Sequence, residues 1–384
     1  MKNIKWCFLS ILLFLISCKS VIKETEVYRT EDREKAPISV SIEPQHETLY
    51  FSSLFSSGKV IELSGCTISN IEKVILLADG RLVVVASRIF PGDNSSIISS
   101  KAGLFSSEGV FLAPLLRIGN GPNEVINVQD VKVNPFKKSL DVLSDFGRKI
   151  LRFDIDSQEI VEIIPIDSME IVCGEGFLPL YGNKFLIYKN LSHTKDQEYK
   201  LYLFDATTGK VLDRFLPFDK QTAETLSHFE QRNNLCEVGD DLFFSEGFMN
   251  TLYKFKEGDL VPYVGFRDNK YSLPDELLHR SYTQSFDLIE EAAHASKIYF
   301  HGSFFFSAGR IFSTYKYLTD QQYFNVISCD EQKSISYDSI CDDICTGISA
   351  SCKEHKFSVV ATDSEHVFFK LETDQNPLLL IMDN

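Results

Sequence analysis

No stretch of this chain stays apolar for the ~20 residues a helix needs to cross a bilayer. The longest early run, Trp6 to Ile16, covers about eleven. The chain also lacks the short signatures of common hydrolases: there is no His-Glu-x-x-His and no Gly-x-Ser-x-Gly, and the eight histidines are scattered. Gly119-Asn120-Gly121 lacks the third glycine and following helix of a dinucleotide fingerprint, because Pro122 and then strand-forming residues come next. Basic runs interleaved with aromatics are missing. The formal net charge is −15, which repels a phosphate backbone and excludes nucleic acid as a partner.

What is present begins with a targeting segment. Lys2 and Lys5 give a basic start, the short apolar run follows, and Leu15-Ile16-Ser17-Cys18 resembles a bacterial lipobox. Residues 1–17 then read as a lipoprotein signal peptide and Cys18 as the lipidated first residue of the mature protein. More than one acyl chain on that cysteine would anchor the chain durably in a membrane. Residues 18–45 read as the lipidated cysteine and a flexible tether, since KSVIKETEVYRTEDREKAP is too charged and too poor in aromatics to bury a core. No acidic run follows Cys18, which favours a periplasm-facing anchor over surface display. Loss of Lys2 and Lys5 with the leader takes the formal charge to about −17.

Residues 46–384 exceed what one ordinary core supports, unless each unit packs only on its neighbours. The stretch from Arg117 to Ile155 shows the unit. Val131 and Val133, then Leu140, Val142 and Leu143, then Ile150, Leu151 and Phe153 form short apolar runs. Asn134-Pro135-Phe136 and Asp145-Phe146-Gly147 break them, and no helical period appears. This is the pattern of antiparallel strands joined by tight turns. A closing hairpin of the same type recurs at Leu104-Phe105 to Gly109-Val110, Leu151 to Ile160, Leu203 to Val211 and Tyr253 to Gly258, and more loosely at Val326 to Ile335 and Val367 to Leu378. A spacing of about 40–60 residues suits a propeller blade. The expectation is an all-β, six-bladed β-propeller of four-stranded antiparallel blades. An irregular pair of β-sandwiches is the alternative.

The first blade is expected to hold Val60 to Leu63, Val74 to Leu77, Leu82 to Ala86 and the Leu104-Phe105 hairpin. The third spans Gly176 to Phe218, the fourth Leu235 to Phe266, the fifth Lys297 to Tyr337 and the sixth Thr346 to Asp383. Ile38 to Ile42 is a candidate outer strand for the sixth. Short helical insertions are expected within Asp219 to Asn233 and at Leu273-Pro274-Asp275-Glu276-Leu277-Leu278, where Pro precedes acids in a first turn. Glu290 to Ala293 suits either helix or strand.

Ile118-Gly119-Asn120-Gly121-Pro122-Asn123-Glu124, followed by Leu143-Ser144-Asp145-Phe146-Gly147-Arg148-Lys149-Ile150, resembles the six-bladed β-propeller lipoproteins of Bacteroidota, whose blades are similar to NHL repeats. The resemblance covers residue 48 to the C-terminus, with its specific motif in one blade. It implies a lipid-anchored, non-enzymatic binding or scaffold protein of the cell envelope, with a glycan, peptide or partner protein on its loop face. The alternative is a lactonase- or lyase-type propeller enzyme holding a divalent cation in the channel. Candidate channel or loop-face residues are Asn123, Glu124, Asp145 and Arg148. Glu124 suits either a channel position or acceptance of backbone N–H groups in its turn. Asp145 suits capping of its own hairpin with Arg148 pairing nearby. No catalytic residue, metal ligand set or resident cofactor can be named.

Seven cysteines remain after Cys7 and Cys18: Cys66, Cys173, Cys236, Cys329, Cys341, Cys345 and Cys352. An odd count leaves at least one free. The Cys341 to Cys352 cluster allows a metal site or a disulfide, but small buried hydrophobes is the preferred reading. Asp167-Ser168-Met169 and Asp338-Ser339-Ile340 resemble three-residue O-glycosylation acceptors of Bacteroidota.

Overall fold

A run such as Leu82-Val83-Val84-Val85-Ala86 cannot be served by one core. Successive strand residues point to opposite faces, yet all five are at most 5% exposed. Leu82, Val84 and Ala86 enter one hydrophobic cluster, while Val83 and Val85 enter another. The sheet is therefore packed on both faces, and the same holds around the molecule. In the computed structural model the described residues are 30–91, 100–119, 121, 124–171, 173–190, 199–218, 233–278, 280, 282, 286–300, 303–318 and 321–384.

Six sheets of four or five strands follow one another along the chain. Their innermost strands are Ile71–Leu76, Val128–Asn134, Gly174–Leu180, Leu235–Val238, Phe305–Ser307 and Phe357–Thr362. These define sheets one to six. Each inner strand from the second sheet onward lies against the next, and Phe357–Thr362 returns to Ile71–Leu76. Lys73 Nζ, 2.7 Å from Asp130 Oδ1, joins the first sheet to the second. A separate hydrophobic cluster fills each of the six interfaces. Burying a Val, Leu, Ile or Phe stabilises by roughly 1.5–3 kcal/mol, so stability is distributed around the ring.

The ring closes through non-sequential pairing. Ser57–Glu62 runs antiparallel to Leu378–Asp383 and completes the sixth sheet, from Ser57 opposite Asp383 to Glu62 opposite Leu378. Val60 and Ile61 thus belong to the last sheet, not to the first blade as expected. Ile38–Val40 also differs from expectation. It adds in parallel to Asp259–Phe266, the outer strand of the fourth sheet. Both segments read correctly as strands, but local patterning carries no information about a partner over 200 residues away.

The expected count of six needs correction too. Seven sheets of three or more strands are present among the described residues. The additional one joins Thr48–Tyr50 in parallel to Ser339–Cys341, which pairs antiparallel with Ser349–Ser351. Its Leu49, Ile340 and Ala350 pack into the cluster between the fifth and sixth sheets. Sequence reading had assigned the Thr346 to Ser351 stretch to the last blade. A two-stranded parallel pair, Arg117–Ile118 with Glu124–Val125, precedes the second sheet. The uniform four-stranded antiparallel blade describes the second, third and sixth sheets. The first, fourth and fifth each carry a fifth strand, parallel in the fourth.

Helices form at Thr30–Lys35, which lies against Asp259–Phe266 within the segment expected to be a flexible tether, and at Asp275–Leu278 and Phe286–His294. The last buries Leu288, Ala292 and Ala293 against Phe248, Leu273 and Tyr299. The expected helix in Asp219 to Asn233 falls, but for its last residue, outside the described residues.

Candidate functional site: the channel and its mouth

The sequence motif builds a latch between sheets. Glu124 Oε2 accepts the Gly121 N–H at 2.8 Å, and the Glu124 N–H returns to the Gly121 carbonyl at 3.1 Å. A Cβ on Gly119 would lie 2.0 Å from Glu124 Oε2, so the loop folds tightly over this carboxylate. Asp145 Oδ1 accepts the Ile126 N–H at 2.9 Å, and Oδ2 pairs with Lys149 Nζ at 2.7 Å. Lys149, not Arg148, is thus its ion partner, and the Arg148 side chain is exposed. The Cys173 N–H donates to the Phe146 carbonyl at 3.1 Å, which ties this turn to the third sheet. Gly147 has φ +73°, and a Cβ there would lie 2.3 Å from the Gly174 backbone nitrogen. Only glycine fits both the backbone and the approach. Asn123 and Cys18 lie outside the described residues.

A second group of polar residues, not singled out from the sequence, lies on the axis. Asp130 is the hub. It takes the Lys73 ammonium, accepts its neighbour Val131 N–H at 2.8 Å, and lies 3.4 Å from the Phe177 nitrogen of the third sheet. Lys132 sits 3.9 Å from Asp130 Oδ2 and donates to the Leu235 carbonyl of the fourth sheet at 2.7 Å. The Lys132 side chain is therefore a strut from the second sheet to the fourth. Beside it is a cavity of about 240 Å³, also lined by Cys236, Glu237 and Phe305. Burial pushes the Lys73 ammonium well below its ordinary value, while Asp130 pulls it back up. Burial raises the Glu237 carboxyl, and Lys132 opposes that. The strand pattern held a faint signal of this site, since Lys73, Asp130, Lys132 and Glu237 interrupt otherwise apolar inner strands.

Above this cavity, at the end where the inner strands begin, a cleft of about 490 Å³ opens. The fifth sheet supplies Thr314 and Gln322 to its wall, and the sixth supplies Ser358 and Lys370. Asn70 enters from the turn between the first-sheet strands Cys66–Ile68 and Ile71–Leu76, and its Oδ1 accepts from Lys370 Nζ at 2.7 Å. His355 holds a left-handed backbone, φ 57°, just before the inner strand of the sixth sheet. Burial, with Lys316 and Lys370 nearby, lowers its pKa.

The seven cysteines past Cys18 are all free. Burial pushes the Cys66 and Cys329 thiols up to about 11 and Cys352 up to about 12, so these three are poor nucleophiles. Among the described residues no three His, Cys, Asp or Glu side chains gather at metal-binding distance. Ser339 Oγ is engaged by Thr48 Oγ1 at 2.8 Å within the additional sheet.

Sheets ranked about an axis, a core at every interface and a polar channel mouth define a β-propeller. The chain belongs to the family described as a domain of unknown function, DUF4934, which it matches over residues 36–382. It is similar to the crystal structure of a Bacteroides fragilis protein assigned as exported. The two are 14% identical with a TM-score of 0.64, over 90% of this chain and 99% of that one. A catalytically inactive virginiamycin B lyase from Staphylococcus aureus, with quinupristin, is 9% identical with a TM-score of 0.43, over 85% and 99% of the chains. A Bacteroides caccae protein of unknown function is 13% identical with a TM-score of 0.27, over 41% and 69%. At such identities only the fold is shared, and only the first comparison bears on it. No curated protein matches. No helix among the described residues is long and apolar enough to cross a membrane.

Proposed function

We propose that this chain is a lipid-anchored, non-enzymatic binding propeller of the bacterial cell envelope. Cys18 carries the anchor, the residues between it and the Ile38–Val40 strand lead to the ring, and the ligand is a glycan, peptide or partner protein. Likeness to an exported Bacteroides protein supports an envelope location and the reading as a Bacteroidota propeller. The periplasmic face of the outer membrane is the location favoured, since no acidic run follows Cys18.

One observation carries the binding role: the cleft at the channel mouth. It draws side chains from several sheets and has a volume within the ~300–1,000 Å³ usual for ligand sites. The competing reading is a lyase or lactonase with a divalent cation on the axis. It sits poorly with Lys73 and Lys132, two lysine side chains that line the cavity beneath the cleft. The full chain, solubilised in detergent, decides between them by elemental analysis before and after chelator treatment. The binding reading expects no stoichiometric divalent metal and an unchanged melting temperature. One bound equivalent, with melting lowered by its removal, would favour the enzyme. For the anchor, a palmitate analogue is expected to label the wild-type chain and not Cys18→Ala.

A further inference from the structure

A usual small-molecule pocket is mostly apolar with a few placed polar groups. The cleft at the channel mouth is the reverse. Thr314, Gln322, Ser358 and Asn70 are hydroxyls and carboxamides, each able to donate and to accept. His355, held toward its neutral form by burial and two nearby lysines, has the same dual capacity. The Lys370 charge at the rim is matched within the protein by Glu372. Lys370 Nζ lies 2.7 Å from Asn70 Oδ1 and 2.8 Å from Glu372 Oε1, and Glu72 Oε1 accepts the Ser87 hydroxyl at 2.8 Å. Gln322 Nε2 reaches the Cys352 carbonyl only at 3.4 Å, a long bond that a better acceptor would displace. Half-buried Phe305 lines both this cleft and the cavity beneath it, so an apolar ring floors a polar cup.

A ligand complementary to this cup has many hydroxyls, each donor and acceptor, no net charge, and an apolar C–H face. We propose that the cleft binds a short neutral oligosaccharide, its C–H face on Phe305 and its hydroxyls bonded to Thr314 and Gln322 on one side and Ser358 and His355 on the other. This rests on the binding reading and narrows it to one ligand class. A peptide would match the amides, but it would also want apolar side pockets along an extended groove.

The test uses the full chain in a detergent without a sugar headgroup, titrated calorimetrically with defined probes. Neutral probes are maltotriose, cellotriose, xylotriose and N,N′,N″-triacetylchitotriose. Contrasting probes are trigalacturonic acid and a set of blocked hexapeptides. The expected result is binding of at least one neutral trisaccharide, weakened tenfold or more by Thr314→Ala and by Gln322→Ala. Phe136→Ala, in an exposed turn at the other end of the inner strands, serves as control and is expected to change nothing. Melting temperatures of all variants check the fold. Binding of the acidic sugar or a peptide alone, with the same sensitivity to Thr314 and Gln322, overturns the neutral-sugar assignment and leaves the binding propeller standing. Neutral-sugar binding indifferent to both variants also overturns it. Failure of every probe overturns the sugar assignment alone, since a partner protein is not among the probes.

Discussion

The latch around Asp145 and the cleft around Thr314 are both polar, and they are built oppositely. In the latch the carboxylates and a carbonyl are spent on the protein: Asp145 on Ile126 and Lys149, Glu124 Oε2 on Gly121, the Phe146 carbonyl on Cys173. In the cleft, hydroxyls and amides from separate sheets converge on open space. The axial group of Lys73, Asp130 and Lys132 sides with the latch, being committed to its own carbonyls and carboxylate. A conspicuous motif thus marks where the ring is fastened, and an inconspicuous scatter of Ser, Thr, Asn and Gln marks where a ligand fits.

The strongest way to break this contrast is Lys73→Met. It leaves Asp130, itself 8% exposed, as a buried carboxylate without its main partner. A loss of about 3–5 kcal/mol is expected in urea unfolding at neutral pH. Gly147→Ala comes next. Its Cβ meets the Gly174 backbone in a left-handed conformation, and about 3 kcal/mol is expected by the same measurement. Asp145→Ala removes the acceptor for Ile126 and the partner of Lys149, for about 1–2 kcal/mol.

A pH effect accompanies the first substitution. Folding lowers the Lys73 pKa from its ordinary 10.5, so below 10.5 the unfolded chain holds more of that proton. Its contribution then grows more favourable as pH rises toward 10.5. Wild type minus Lys73→Met, measured from pH 7 to 9, should rise with pH; a flat or falling difference would refute the burial effect. Smallest of all is Thr314→Ala, within about 0.5 kcal/mol of wild type in stability. A loss comparable to that of Asp145→Ala would make the cleft part of the frame and erase the distinction.

Much of the ring was legible because its strands are local and strongly patterned. Leu203 to Val211, Tyr253 to Gly258 and the helix start at Pro274 sit where composition put them. What escaped was pairing at a distance: Ser57–Glu62 with the last strand, Ile38–Val40 with the fourth sheet, Thr48–Tyr50 with Ser339–Cys341. A strand shows its alternation, not its neighbour. The cleft was unreadable for a related reason. Thr314, Gln322, Ser358 and Asn70 are ordinary surface residues in sequence, and only the ring brings them together. Asp145 and Glu124 stood out because turn chemistry is written in adjacent residues, and the structure places both in backbone bonding.

The pairing of Ser57–Glu62 with Leu378–Asp383 has a consequence in time. Until Leu378–Asp383 has emerged, the early strand has no mate. Until that strand docks, Leu378-Leu379-Leu380-Ile381-Met382 offers an apolar border with unpaired amides, the kind of rim that recruits other chains. Closure spanning the whole length also makes for slow folding. A chain that closes in this way is therefore most vulnerable at its last step, when every other seam is already shut.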